Sequence, residues 1–328
     1  MNELVSVIIP LYNREKYIEH ALRSIAGQSW RDLEVIVVDD GSTDSSAAQA
    51  KLHLERYGLT GKVITISNSG PDAARDIGVR HACGNYLAFL DSDDIYLPTF
   101  IGEAVEAMRT QETEWAFSDF YVTDSQLKVL FRKSERLKRL RLVARTTSTL
   151  YVSLMRERLF SYLLEEQPIP VSGLVMRRSL YDRVGGFHRF IKERILSLEW
   201  EFMLRAARTS PIAYLERPLV MIRKHDGNIS GQVARQDAGE VAVLKTVLDQ
   251  YRLDPGERRL VQAEIGKRSW HVGYHYFLQR KNRLSRSWFI DSFRHKVSAK
   301  ALLFAMATTL PASFNQPLRN LKKTLSLS

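Results

Sequence analysis

The sequence predicts an α/β fold built on a doubly wound, mostly parallel sheet. Through the first hundred residues, short apolar runs alternate with helix-like segments, the order that gives a parallel sheet flanked by helices. The runs are rich in Val and Ile and almost uninterrupted, as strands covered on both faces should be. Polar residues then collect directly after each run.

Strands are expected at 4–10 (LVSVIIP), 33–39 (LEVIVVD), 63–67 and 86–91 (YLAFLD). Between them, 15–27, 45–57 and 71–82 carry helical apolar spacing. Asp44 and Ser45 offer cap-type side chains to the second of these, and Pro71 suits the first turn of the third. Later strands are expected at 115–123, 172–177 and 212–222. A helix is expected over 196–208, where Ile195, Leu198, Phe202 and Ala206 share one face. Asp254, Pro255 and Gly256 mark a break, beyond which the chain reads as helical, basic and aromatic. The expected division is a catalytic domain at 1–230, with a nucleotide-binding half at 1–100 and an acceptor half at 101–230, followed by a basic helical extension at 231–328.

A chain of 328 residues can bury a large core. The single Cys83 excludes an internal disulfide, so nothing asks for an oxidising compartment. Residues 1–4 lack the positive flank and apolar stretch of a signal peptide, and a cytoplasmic location is expected. Charge is unevenly placed. Residues 1–251 hold 33 Lys/Arg and 33 Asp/Glu, while 252–328 hold 15 and 4, so the last segment carries the whole net charge of +11. Such a tail points to an anionic surface.

The four strand-end loops carry the chemistry. They hold Pro10, Leu11, Tyr12 and Asn13; Asp39, Asp40, Gly41 and Ser42; Asn68, Ser69, Gly70 and Pro71; and Asp91, Ser92, Asp93 and Asp94. Ligands of open α/β sheets bind outside the carboxyl ends of the strands, so these loops are expected to share one crevice. Asp91 and Asp93 point to the same side of an extended segment because side chains alternate. Acids crowded there repel unless a cation binds, and Mg²⁺ and Mn²⁺ favour carboxylate oxygens completed by water and phosphate.

From Ser6 to Asp94, through SVIIPLYNREKYIEHALRSIAGQSW, LEVIVVDDGSTDSS and NSGPDAARDIGVRHACGNYLAFLDSDD, and again at SGLVMRRSLYDRVGGF, the chain resembles the family-2 inverting glycosyltransferases of the GT-A fold. The resemblance implies transfer of a sugar from a nucleotide diphosphate donor, by preference a UDP-sugar, to a hydroxyl of a glycan or lipid-linked acceptor, with divalent Mn²⁺ or Mg²⁺. It places Pro10, Tyr12 and Asn13 at the base pocket, and Asp39 or Asp40 on the nucleoside. Arg75 falls near the phosphates, Asp91 with Ser92 at the donor, and Asp93 on the metal. In the family a catalytic acid follows Gly-Gly-Phe by about a dozen residues. After Gly185, Gly186 and Phe187 that place falls on Glu199, with Glu201 as second candidate, and Leu198 stands where a preceding acid is usual. His225, in RKHDGNIS, resembles a family His that meets the metal or diphosphate, and a neutral imidazole suits such ions.

Other readings are weaker. A dinucleotide oxidoreductase needs Gly-x-Gly-x-x-Gly after the first strand, where PLYNR stands instead. A nucleotidyltransferase needs a Gly-rich basic first loop, which is missing. A catalytically silent sugar-nucleotide or membrane-binding module stays open because of Leu198. No nucleic-acid module accompanies the basic tail, so no nucleic-acid partner is expected. The apolar stretch 301–310 spans about 15 Å as a helix, half a bilayer core. With Arg294, Lys296 and Lys300 before it and Arg319, Lys322 and Lys323 after it, it suits either a headgroup layer or ordinary packing. Residues 294–328 are thus the candidate contact with an anionic membrane, peripherally on its inner face. The basic stretch 132–145 is a candidate acceptor-side loop.

Overall fold

The computed structural model describes residues 3–137, 139–140, 144–146, 152–155, 158–188, 190–191, 195–228, 233–296 and 299–309. Part of the 132–145 stretch therefore lies outside the described residues, as do Ile229 and Ser230 of the Asn228 segment, Leu310, and the basic Arg319, Lys322 and Lys323. The chain divides into two compact units, Met1–Arg194 with Glu199–Asp226, and Ile195–Leu198 with Gly227–Ser328.

The first unit opens with the expected alternation: β1 (Val5–Leu11), α1 (Ile18–Ala26), β2 (Leu33–Asp39), α2 (Ser46–Arg56), β3 (Gly61–Thr65), α3 (Pro71–His81) and β4 (Tyr86–Phe89). Strand order β3-β2-β1-β4, all parallel, reverses direction at β1, which puts a crevice at the carboxyl ends of β1 and β4. Every residue of β1 is buried, as sheet covered on both faces demands.

Next come β5 (Ile95–Tyr96), α4 (Phe100–Thr110), β6 (Trp115–Thr123), β7 (Val129–Arg132), β8 (Ala144–Thr146), β9 (Val152–Met155), α5 (Leu159–Glu165), β10 (Leu174–Arg177), α6 (Arg178–Val184), α7 (Leu198–Ala207) and β11 (Ile212–Arg223). The sheet grows beyond β4 in the order β10-β6-β11-β9-β8. Strand β10 is antiparallel to both β4 and β6, and β6 pairs β11 in parallel. The parallel character is thus concentrated in the first hundred residues.

Strand β5 has only two residues, yet it pairs with Val220 and Met221 of β11, and Leu97 donates to the Leu219 carbonyl. This pins the loop after β4 against the far end of β11. A core cluster running from Val5, Val7 and Ile9 through Ala104 and Val105 to Leu219 and Val220 fills one side of the sheet.

The second unit holds α8 (Val233–Gln250), α9 (Pro255–Leu278), α10 (Asn282–His295) and α11 (Ala299–Ala307). Asp254 caps α9 through the amides of Gly256 and Glu257, and Glu257 returns a bond to the Asp254 amide, a capping box at the expected break. Phe277, Phe289, Phe304 and Ala305 form this unit's buried cluster, with Trp270 and Tyr274 against it.

Candidate active site

Side chains from three strand ends and two helices converge at the crevice. Asp93, after β4, meets His225, after β11: Nε2 of the imidazole lies 2.9 Å from Asp93 Oδ2. The meeting follows from the β5–β11 pairing and from Arg223, whose amide donates to Asp94 Oδ1 at 2.9 Å and whose Nε donates to the Asp93 carbonyl at 2.9 Å. Tyr17 stacks on His225 with ring centroids 4.6 Å apart, and the Arg223 guanidinium lies over the same Tyr17 ring at 4.8 Å. Arg14 Nε also reaches Asp93 Oδ2, at 3.1 Å. Neither Arg14, Tyr17 nor Arg223 was singled out from sequence. Only the position of Arg14, directly after Tyr12 and Asn13, hinted at a role.

Asp91 faces a different partner. Its Oδ1 accepts from Arg75 Nη2 at 2.5 Å, and Arg75 Nη1 donates to Asp72 Oδ1 at 2.6 Å. Burial works against the Arg75 charge, but Asp91, Asp72 and Glu199 outweigh it and hold the guanidinium protonated. Its Nε is buried and, among the described residues, has no hydrogen-bond partner, a donor that a ligand oxygen can satisfy. Asp72 stands three residues before Arg75 on the same helical face, a spacing that lets such pairs meet. Burial raises its pKa, partly offset by Arg75.

Glu199 lies in the first turn of α7. Burial first, then Asp72 and Asp91, push its carboxyl up to about 8 against the opposing Arg75. Glu201 is fully buried. Arg205 Nε donates to both of its oxygens at 2.9 Å, and Nη2 to Oε2 at 2.7 Å. Leu198 is buried as well.

Asp94, the third acid after β4, is pushed well above its usual value, first by burial and then by Asp93 and Asp91. It accepts from Ser172 Oγ at 2.6 Å, and Ser172 Oγ in turn accepts from the Asp91 amide at 3.0 Å. Ser172 thus braces the loop, a role hidden behind its sequence reading as the start of a strand. Ser92 is buried beside these acids.

At the base side, Asn13 adopts φ +49°, a left-handed conformation that Asn tolerates. Its Oδ1 accepts from the Thr43 amide at 2.8 Å, and its own amide donates to Ser42 Oγ at 3.0 Å, tying the loops after β1 and β2. Asp39 Oδ1 accepts from the Ser42 amide at 3.2 Å. Asp40 uses both oxygens on the amides of Ser69 and Gly70, at 2.6 and 2.8 Å, and so shapes the loop into α3. Pro10 is buried within β1, while Tyr12 is 42% exposed.

Among the described residues no group of three or more His, Cys, Asp or Glu side chains gathers as a ready metal cage. Asp93 and His225 provide two donors, which suits an ion that keeps water and phosphate in its shell. A carboxylate and an imidazole are donor types that divalent cations accept, and Arg14 Nε, 3.1 Å from Asp93 Oδ2, offsets part of that carboxylate's charge.

The profile of glycosyl transferase family 2 matches residues 6–185, more than half of the chain, and the chain belongs to that family. An uncharacterised glycosyltransferase of Haemophilus influenzae is 42% identical over 91 residues, which is 28% of this chain and 36% of that protein. A glycosyltransferase of Nostoc is 29% identical over 184 residues, 55% of this chain and 52% of its own. The matched stretches thus span about half or less of these relatives. Among solved structures, residues 1–349 of S. aureus TarS in complex with UDP-GlcNAc align with a TM-score of 0.65 at 20% identity, over 97% of this chain and 87% of that one. The mannosyltransferase PcManGT of Pyrobaculum calidifontis, in complex with GDP-Man and Mn²⁺, aligns at 0.58 and 16% identity, over 97% and 84%. At these identities the likeness shows a shared fold.

Proposed function

We propose that this chain transfers a sugar with inversion from a nucleotide diphosphate donor, by preference a UDP-sugar, to a hydroxyl of a glycan or lipid-linked acceptor. The observation that carries the reading is the convergence of Asp93 with His225 and of Arg75 with Asp91 and Glu199 at one sheet end. Tyr12, exposed in the loop after β1, stacks on the base beside Asn13, while Pro10, buried within β1, leads the strand into that loop. Asp39, whose Oδ1 accepts from the Ser42 amide, contacts the nucleoside, while Asp40 keeps the adjoining loop in place through the amides of Ser69 and Gly70. Arg75 presents its unpartnered Nε to a donor oxygen, and Asp91 with Ser92 lines the sugar side. Asp93 and His225 hold the divalent ion, which supplies positive charge for the departing diphosphate.

Glu199 takes the acceptor proton. Glu201 is the weaker candidate because Arg205 already occupies both its oxygens. The raised pKa of Glu199 gives it appreciable basicity, and Arg75 limits the rise. A screen of UDP-, GDP- and TDP-sugars with Mn²⁺, read as nucleotide release with and without acceptor, tests the reading. Binding without release from any donor would favour a silent sugar-nucleotide module.

A lipid-linked acceptor would have to be met at a membrane surface. Among the described residues no helix is long and apolar enough to cross a bilayer, so any attachment through these helices is peripheral. Helix α11 buries Ala301, Phe304 and Ala305 and exposes Leu302, Leu303 and Met306. One face packs within its own unit, and the other leaves these last three apolar side chains exposed. Exposed apolar side chains beside a strong basic excess suit the interface of an anionic bilayer. Lys300, over the Trp270 ring at 4.4 Å, stands at the helix start.

A further inference from the structure

Asp76 follows Arg75 on α3 and reaches away to a turn 110 residues further on. Its Oδ1 accepts from the Tyr181 hydroxyl and from the Phe187 amide at 3.0 Å. Its Oδ2 accepts from the His188 amide at 3.3 Å and from His188 Nδ1 at 2.9 Å. Burial opposes ionisation, yet the bonds from His188, Tyr181 and Phe187 win and keep the carboxyl below its usual range. An ionised carboxylate can only accept, so Nδ1 carries the proton.

The turn it grips is built for close approach. Gly185 and Gly186 take φ +93° and +71°, and a Cβ on Gly186 would lie 3.2 Å from Asp76 Oδ1 and 3.1 Å from the Tyr181 hydroxyl oxygen. The other side of the turn is held from α7. Arg205 Nη2 donates to the Gly186 carbonyl at 2.6 Å and Nη1 to the Val184 carbonyl, while Glu201 fixes the Arg205 guanidinium. Phe187, at the end of the turn, packs on Phe202 of α7 with centroids 4.9 Å apart and lies under the Arg75 guanidinium at 6.0 Å. One turn therefore joins the helix of Arg75 to the helix of Glu199.

We propose that Asp76 is a positioning residue for sugar transfer, setting the spacing of Arg75 and Glu199 by gripping the turn at 185–188. This rests on Glu199 being the base. Displacing a base by about 1 Å can cost on the order of a hundredfold in rate while leaving ground-state contacts in place. Loosening the grip therefore lowers kcat and spares donor affinity.

Full-length Asp76→Asn and Tyr181→Phe are compared with the unaltered chain and with Glu199→Gln. Nucleotide release is measured from UDP-, GDP- and TDP-glucose and UDP-N-acetylglucosamine with Mn²⁺, and UDP binding by calorimetry. Asp76→Asn is expected to lower kcat roughly 10- to 100-fold, and Tyr181→Phe less, with donor KM and UDP affinity within about threefold. Unchanged kcat in both variants, or a change confined to KM, overturns the inference. If Glu199→Gln also keeps its kcat, the base assignment fails. If Glu199→Gln is dead while Asp76→Asn is fully active, only the positioning role fails. Should Asp76→Asn not fold, Tyr181→Phe decides alone, because it keeps the ring and removes one bond.

Discussion

Both carboxylate oxygens of Glu201 accept hydrogen bonds from Arg205, one helical turn away and inside the protein. Two residues earlier, Glu199 has no such ion-pair partner among the described residues and instead shares its surroundings with Arg75, Asp72 and Asp91. Two acids of one helix thus take on different tasks. Breaking a buried ion pair by removing one partner leaves an uncompensated charge and costs about 3–5 kcal/mol. Glu201→Ala should therefore lower the melting temperature sharply, whereas Glu199→Gln should not. Thermal unfolding at pH 7 checks the contrast.

The position of the Glu199 carboxyl, pushed up to about 8 by burial and by Asp72 and Asp91, sets a pH profile. A base must be deprotonated, and kcat/KM reports the free enzyme. It should rise from pH 6 and level off above about 8. A profile already flat from pH 6 would contradict Glu199 as the group responsible.

Stability carries the opposite sign. The folded pKa of about 8 exceeds the ordinary value of 4.5, so folding favours the protonated carboxyl. Its contribution is full below about 4.5 and is lost as pH rises through 8, following proton linkage. Glu199→Gln, which cannot ionise, should gain in melting temperature over the unaltered chain across that window, with the gap closing near pH 4. Denaturation scans at four pH values check it.

On the proposed role of Asp93 and His225 in holding a divalent ion, Asp93→Ala should abolish Mn²⁺-dependent donor binding. His225→Ala should weaken Mn²⁺ affinity by about tenfold or more, the scale on which even residues orienting metal ligands act. Calorimetry of UDP with and without Mn²⁺ reads both. Donor binding by Asp93→Ala that still depends on Mn²⁺ would place the ion elsewhere.

On α11, the triple substitution of Leu302, Leu303 and Met306 to Ser touches only exposed side chains. It should leave melting unchanged and reduce co-sedimentation with anionic vesicles about tenfold or more, given roughly 25 cal/mol per Å² of apolar surface withdrawn from water. Equal sedimentation by the variant would assign this face to something other than lipid.

Much of the first hundred residues was legible because their signals are local. Strands β2 and β6 stand where the Val/Ile and aromatic runs put them, and Pro71 opens α3 as its fixed φ suggests. Strand β3 was placed late, at 63–67 rather than Gly61–Thr65. It opens on Gly61, a residue unfavourable to strands, which the sheet requires because a Cβ there would strike the Val35 carbonyl at 2.3 Å. Helix α1 begins at Ile18 rather than residue 15, since Arg14 to Tyr17 form a turn first. The contacts of Asp93 with His225 and of Asp76 with the turn at 185–188 join residues more than a hundred apart. They depend on a two-residue strand and on a pair of left-handed glycines, and neither has a periodicity to read.

Nucleotide release by Glu199→Gln, measured beside the unaltered chain with Mn²⁺ and the best donor of the UDP-, GDP- and TDP-sugar screen, tests the central claim most directly. Loss of turnover by about a hundredfold or more, the lower end of general-base catalysis, with UDP affinity retained, is the predicted result. Turnover equal to that of the unaltered chain would contradict it.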